Sequence, residues 1–247
     1  MRVTFVGTGE AFDPVLPNTS ILYQGASTIL MDCGFGAVHP FWARYPDPSL
    51  LDAISISHTH ADHAFGLPGL LLWMRVAGRE RPLTIFGGPG VRDWLHRILE
   101  LGYPGSFDPA SCYSIEPVEV LPGAPLEYRG CRIETAQSEH SIHNLSTKIT
   151  EGERSFCYSG DGIPTDATRA LFRHADVVAH ECYWLEGRDH GHSGARELVE
   201  MAREEKIETL CLIHLGRHLK EAIGAEAQSW TAPPEIRIPK PGDTMEI

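Results

Sequence analysis

Ser57-His58-Thr59-His60-Ala61-Asp62-His63 packs four ligand-type side chains into six residues, directly after the run Ala53-Ile54-Ser55-Ile56. That run alternates apolar and polar positions, which predicts a strand ending at His58. Imidazole nitrogens together with a carboxylate suit Zn, Mn or Fe rather than Ca. His58 and His60 are two apart, so extended backbone turns both the same way and lets them clamp one ion. Asp62 and His63 are adjacent, and a turn or helix start would aim them at a second ion nearby. Gly66 and Pro68 then mark a tight loop entering a helix. A solvated turn would account for an isolated His-x-His pair, but not for His-x-His-x-Asp-His at a strand end.

Two ions need more ligands than this stretch supplies, and other strand ends carry them. His140 follows Thr135-Ala136-Gln137-Ser138-Glu139, Asp161 follows Phe156-Cys157-Tyr158-Ser159, and His214 closes Leu210-Cys211-Leu212-Ile213. His143 competes with His140. One Asp bridging two cations would hold them ~3.5–4 Å apart, the separation of two-metal hydrolases.

Around these points the first half reads as strands at Val3–Val6, Ser20–Tyr23, Thr28–Met31 and Leu83–Phe86, with helices over Leu67–Met74 and Val91–Leu101. In the second helix Val91, Trp94, Leu95, Ile98 and Leu99 share one face. The second half repeats the style. Strands are expected at Arg132–Thr135, Ser146–Thr150, Ser155–Ser159, Val177–Ala179 and Leu210–Ile213, with one helix capped by Thr165 or Asp166 and another opened by His192-Ser193. Two meanders, each followed by helix–strand alternation, predict an α/β fold of two halves packed through their sheets. No linker divides the 247 residues, so 1–247 reads as a single domain.

The net charge is −12 and 42% of the residues are hydrophobic. That composition excludes a disordered or coiled-coil chain, and the acidic balance argues against a protein built to wrap nucleic acid. No apolar run approaches the ~18 residues of a membrane span, and Met1–Gly7 has no room for a signal-peptide core. The six cysteines form no C-x-x-C pair and lie mostly in strand-like runs, so free thiols in a reducing cytoplasm are expected.

The chain resembles the metallo-β-lactamase fold superfamily along its whole length: Gly7-Thr8-Gly9, Asp32-Cys33-Gly34, the His58–His63 motif, His140, Asp161 and His214 fall in that family's order. The resemblance implies a four-layer αββα sandwich with metals at one edge of the paired sheets. It implies that His58, His60 and His140 hold one ion, that Asp62, His63 and His214 hold the other, and that Asp161 bridges them. Within the superfamily the chain is similar to the ribonuclease Z branch, the tRNA 3′-processing endonucleases. Gly66-Leu67-Pro68-Gly69-Leu70-Leu71, His180-Glu181-Cys182 and His192-Ser193 carry that similarity. The last two stand where the branch has a His-Glu-Ala-Thr box and a His-Ser-Thr loop, which implies His192 as proton donor and Glu181 as its support. The chain departs from the branch in reading Asp32-Cys33-Gly34-Phe35-Gly36-Ala37-Val38 for Asp-Cys-Gly-Glu-Gly-Thr-Gln, and in placing Pro17 rather than Arg before Asn18. Only 20 residues separate His140 from Asp161, too few for the tRNA-gripping arm of the long forms. In size the chain resembles the short, armless phosphodiesterases of the superfamily, which act on cyclic nucleotides or cyclic sugar phosphates.

The expected activity is that of a metal-dependent hydrolase, a phosphodiesterase acting on RNA or on a small or cyclic nucleotide-like diester. Two divalent transition-metal ions, Zn ahead of Mn or Fe, would generate a bridging hydroxide near neutral pH, and Asp62 would orient it. His192 would protonate the leaving alkoxide, a role worth ~10²–10⁴ in rate. Two alternatives stand behind this: hydrolysis of a carboxylic ester, thioester or lactone on the same ions, and a metal-binding scaffold without turnover. A group that leaves readily has less need of an acid, so His192 beside Glu181 favours the phosphodiester. No membrane partner is expected, and a homodimer is allowed. Ala37–Ser49, with His39, Phe41, Trp42 and Tyr45 among prolines, reads as a loop, either beside the site or simply packed. Arg75, Arg79 and Arg81 form the densest basic cluster, read as a solvated helix end ahead of a phosphate clamp.

Overall fold

In β1 (Arg2–Gly7), β2 (Ser20–Gln24) and β3 (Thr28–Met31) successive side chains point to opposite faces, and both faces are buried. Val3, Phe5, Ile21, Tyr23, Ile29 and Met31 enter one apolar cluster, while Val6, Leu22 and Leu30 enter another. Strands apolar on both faces must be covered twice, and this forces a layered fold.

The computed structural model describes residues 1–110 and 112–247. After β3 come α1 (Val38–Arg44), β4 (Ala53–Ser55), α2 (Ala61–Ala64), α3 (Leu67–Val76), β5 (Leu83–Gly87), α4 (Val91–Gly102) and β6 (Ile115–Glu119). The second half runs β7 (Leu126–Tyr128), β8 (Cys131–Gln137), β9 (Leu145–Glu151), β10 (Arg154–Tyr158), α5 (Asp166–Phe172) and β11 (Val177–Glu181). It continues through β12 (Arg188–Asp189), β13 (His192–Ser193), α6 (Ala195–Glu204), β14 (Thr209–Ile213), α7 (Lys220–Ala227), β15 (Glu235–Arg237) and β16 (Thr244–Glu246).

Two seven-stranded sheets result, ordered β16-β1-β2-β3-β4-β5-β6 and β15-β14-β11-β10-β9-β8-β7. Each is half antiparallel meander and half parallel. The sheets face each other across a core in which Phe5, Ile21 and Tyr23 meet Ile149, Phe156 and Tyr158. Burying each such aromatic or aliphatic side chain stabilises the fold by ~1.5–3 kcal/mol. The outer face of the first sheet is covered by α1, α3 and α4, and that of the second by side chains of α5, α6 and α7. This is the four-layer αββα sandwich of the metallo-β-lactamase fold. Because β4, β10, β11 and β14 all lie in the parallel halves, their C-terminal ends share one edge of the sandwich.

Two local expectations are corrected. Residues 38–44 form a helix rather than a loop, and Phe41 and Trp42 pack into the outer layer, with Trp42 5.8 Å from Trp73. Pro40 does not prevent this, because it falls in the first turn, where backbone N–H groups have no intrahelical partner. In the arginine cluster Arg81 is exposed, but Arg79 is not part of a solvated helix end. Arg79 is 4% exposed and donates to the carbonyls of Arg81, Pro48, Leu51 and Pro82 at 2.8–2.9 Å. A guanidinium carries five donors, enough to satisfy carbonyls that no strand partner reaches.

Candidate metal centre

Each sequence-predicted donor sits just past a strand end on the shared edge. The turn after β4 carries His58 and His60, and α2 begins immediately, turning Asp62 and His63 back into the sandwich. His140 follows β8, Asp161 follows β10, and His214 follows β14. His58 Nε2 lies 3.0 Å from His60 Nδ1, which lies 3.2 Å from His140 Nε2. His63 Nε2 is 3.3 Å from Asp62 Oδ2 and 3.4 Å from Asp161 Oδ2, while His214 Nε2 is 3.4 Å and 3.6 Å from the same oxygens. Asp161 Oδ2 also lies 4.0 Å from His58 Nε2, which puts it between the two groups. His143 is elsewhere, lining a separate pocket with Gly88 and Trp94.

These spacings fit divalent cations. Atoms ~2.0–2.1 Å from a tetrahedral ion stand roughly 3.3 Å apart. Among the described residues, His63 Nε2, Asp161 Oδ1 and His214 Nδ1 are buried with no hydrogen-bond partner. A buried polar atom left so costs ~1–3 kcal/mol, and His63 Nε2 among them faces the Asp62 and Asp161 carboxylate oxygens.

The outer hydrogen bonds set the ring orientations. Asp32 Oδ2 accepts from His63 Nδ1, Ser57 Oγ and Tyr158 OH, each at 2.7 Å, and Asp32 Oδ1 accepts from Ser57 N at 2.7 Å. With Ser57 Oγ donating to Asp32, it accepts from His58 Nδ1 at 3.0 Å. His140 Nδ1 donates to the Gly191 carbonyl at 3.0 Å. In all three histidines the proton is thereby drawn to Nδ1, leaving Nε2 as the ligand atom. Asp32 reaches this position with φ 60, a left-handed conformation uncommon outside glycine. From the sequence, Asp32 stands only in the Asp32-Cys33-Gly34 segment that carries the family resemblance, and neither it nor Tyr158 is given a role at the site.

The charges follow. Burial and the neighbouring His63 push His58 well below the ordinary imidazole value, so it is neutral. Burial acts the same way on His63, but the Asp161 and Asp32 carboxylates outweigh it and hold His63 well above that value. Burial raises Asp62 and Asp161, yet the surrounding imidazoles hold both far below the carboxylate range. In the metal-free protein the His63 proton thus supplies part of the positive charge that an ion would bring.

Beside the two groups stands His192, its ring centroid 5.3 Å from that of His140 and 5.7 Å from that of His214. Its Nδ1 is 3.3 Å from Oε2 of the fully buried Glu181, whose Oε1 accepts from Ser193 N at 2.8 Å. Burial lowers the His192 pKa, but Glu181 outweighs it and the net shift is upward. His192 faces a cleft of about 530 Å³ walled by Phe12, Phe35, Tyr183, Trp184 and His190. Phe12 is held at the lip by Arg217, which lies 5.4 Å over its ring and pairs with the buried Glu10. Of these cleft-wall residues the sequence marks Phe35 alone, as a departure from the ribonuclease Z pattern, and gives it no role.

The likenesses agree with this geometry. Ribonuclease Z of Methanothermobacter thermautotrophicus is 29% identical over 275 aligned positions, covering 89% of this chain and 88% of that protein. The metallo-β-lactamase fold protein YhfI from Bacillus subtilis superposes with a TM-score of 0.82 at 23% identity, covering 99% and 98% of the two chains. The short form of human tRNase Z gives 0.80 at 23%, covering 100% and 99%. Residues 1–230 match the family described as Anti-Pycsar protein Apyc1. With the layered fold, the clustered donors and a match over nearly its whole length, the chain belongs to that Apyc1 family, a ribonuclease Z-like group of the metallo-β-lactamase fold.

Proposed function

We propose that the chain is a metal-dependent phosphodiesterase acting on a small diester that carries one phosphate. His58, His60 and His140 would hold one divalent transition ion, Zn in the first instance. Asp62, His63 and His214 would hold a second, with Asp161 shared. Bound ions would supply Lewis acidity and lower the pKa of water from 15.7 towards ~7. Asp62, kept ionised by His214 and His63, orients the attacking water. As the phosphorus–oxygen bond to the leaving group breaks, His192 gives its proton to the departing alkoxide, and Glu181 holds the imidazolium.

The observation that carries the reading is the place of His192, on the cleft side of both donor groups with a buried carboxylate behind it. A carboxylic ester, thioester or lactone on the same ions would need that acid less. The cleft also favours a small substrate over RNA. Its volume falls within the ~300–1,000 Å³ of small-molecule sites, its described lining holds no Lys or Arg, and Glu10 sits in its wall. Nucleic-acid affinity comes chiefly from Lys and Arg on successive phosphates. Four aromatic rings suit one flat base instead. Five buried free cysteines are in keeping with a reducing cytoplasm, and the shared intersheet core is in keeping with one domain over 1–247.

A screen of metal-loaded protein tests this. Turnover of bis(p-nitrophenyl) phosphate and of a nucleoside 3′,5′-cyclic phosphate is expected, with neither pre-tRNA nor a thioester competing. Faster thioester or lactone cleavage would overturn the phosphodiester reading, and efficient pre-tRNA cleavage would overturn the small-substrate part of it.

A further inference from the structure

We infer that Tyr183 is a positioning residue for the proton donor, its ring fixing where the His192 imidazole gives up its proton. The inference rests on the reading of His192 as the acid. Among the described residues the one side-chain hydrogen bond to that ring is long, 3.3 Å from Glu181. One such bond leaves the imidazole room to swing, whereas proton transfer needs ~2.6–3.2 Å between heavy atoms. Ring packing supplies the missing restraint. The Tyr183 ring lies 5.1 Å from that of His192 at an interplanar angle of 31°, and the His214 ring stacks on His192 at 16°.

Tyr183 is itself braced. Trp184 meets it edge-on at 5.0 Å, and the Trp184 Nε1 donates to the Asp189 carbonyl at 3.2 Å, tying the stack to the hairpin that carries His192. The turn after His214 passes close against Tyr183, and only a residue without a side chain fits there. A Cβ at Gly216 would lie 2.2 Å from the Tyr183 carbonyl oxygen and 3.4 Å from its Cδ1. The ring is thus braced by the residue that follows it, and its backbone by the loop that follows a donor-group histidine.

The test compares Tyr183→Leu, Tyr183→Phe and His192→Ala in metal-loaded protein on two substrates. A nucleoside 3′,5′-cyclic phosphate must expel a sugar alkoxide, whereas bis(p-nitrophenyl) phosphate expels a phenolate that leaves without a proton. Tyr183→Leu should slow the first by ~10–10²-fold, as expected for a misplaced catalytic group, and the second by no more than roughly threefold. Tyr183→Phe should keep the wild-type ratio between the two. In the metal-free protein, the His192 ring should give one sharp set of NMR signals in wild type and Tyr183→Phe, and averaged or broadened signals in Tyr183→Leu. Equal slowing of both substrates, loss in Tyr183→Phe to match Leu, or an unchanged His192 spectrum in Tyr183→Leu would each overturn the inference. If His192→Ala shows no leaving-group selectivity, the acid reading falls, and this inference with it. If His192→Ala shows it and Tyr183→Leu does not, only the inference falls. Should Tyr183→Leu not fold, Trp184→Leu, which removes the brace behind the stack, should give the same selective slowing in smaller measure, and its absence would overturn the inference.

Discussion

Asp32→Asn replaces one atom and should weaken both the fold and its hold on metal. The Asp32 carboxylate takes three donors on Oδ2 and one on Oδ1, all at 2.7 Å. An amide can keep its oxygen in the Oδ2 position and satisfy those three. Its NH₂ then faces the Ser57 N–H, and a buried donor left unpaired costs ~1–3 kcal/mol. The three retained bonds also pass from a charged to a neutral acceptor, from ~1.5–3 kcal/mol each towards ~0.5–1.5. Allowing for relaxation, the loss should be roughly 3–5 kcal/mol, as for breaking a buried ionic pair. A domain has only ~5–15 kcal/mol in total. In protein that still folds, His63 is held by a neutral amide oxygen in place of a carboxylate, and metal affinity should fall ~10–100-fold. Thermal melts with and without metal, and competition against a chelating dye, measure the two effects. Wild-type affinity and melting temperature in Asp32→Asn would refute the role assigned to Asp32.

Three further outcomes are expected. The raised His63 pKa means that metal-free protein carries a proton which an ion must displace, so affinity falls as pH drops through that value, and calorimetry in buffers of differing ionisation heat should count about one proton released; zero would contradict it. The same shift stabilises the metal-free fold fully below the unfolded value of 6.5, and that stability is lost as pH rises through the folded one. Arg79→Ala strands the carbonyls of Pro48, Leu51, Arg81 and Pro82 and should cost ~2–4 kcal/mol in denaturant melts while metal content stays unchanged. Burial raises Glu205, but Arg173 and Arg169 outweigh it and depress its pKa, so Glu205→Gln should cost ~1–2 kcal/mol at neutral pH. Because that stability is present above the unfolded carboxylate pKa and lost as pH falls through the lower folded one, the two proteins should melt alike in strong acid.

The seven donor-type residues were legible because each follows a run of buried strand, and strand ends on parallel neighbours share an edge. The structure brings them into two groups, His58, His60, His140 and Asp62, His63, Asp161, His214. The hydrogen bonds of Asp32 were not legible, since its partners lie 25, 31 and 126 residues away. Helix α1 was masked by Pro40, whose penalty vanishes in a first turn. The short strands β6, β7, β15 and β16 are three to five residues long and carry little periodic signal. Phe12, 73% exposed, and Phe35, 56% exposed, could not be told from core residues, because a pattern of apolar positions does not say which ones stay in water.

The carbonyl that steadies His140 belongs to Gly191, one residue before His192, in a hairpin of two-residue strands. A donor-group histidine and His192, the proposed proton donor, are therefore tied to the same few atoms. Whatever free energy an ion gains by fixing His140 against that carbonyl is returned, by reciprocity, as order in the hairpin. A coupling of ~1.4 kcal/mol would change the equilibrium constant for ordering the hairpin tenfold. On the proposed reading of His192 as the acid, metal loading would further steady a ring that Tyr183 and His214 already pack, so that acid and nucleophile would be set together.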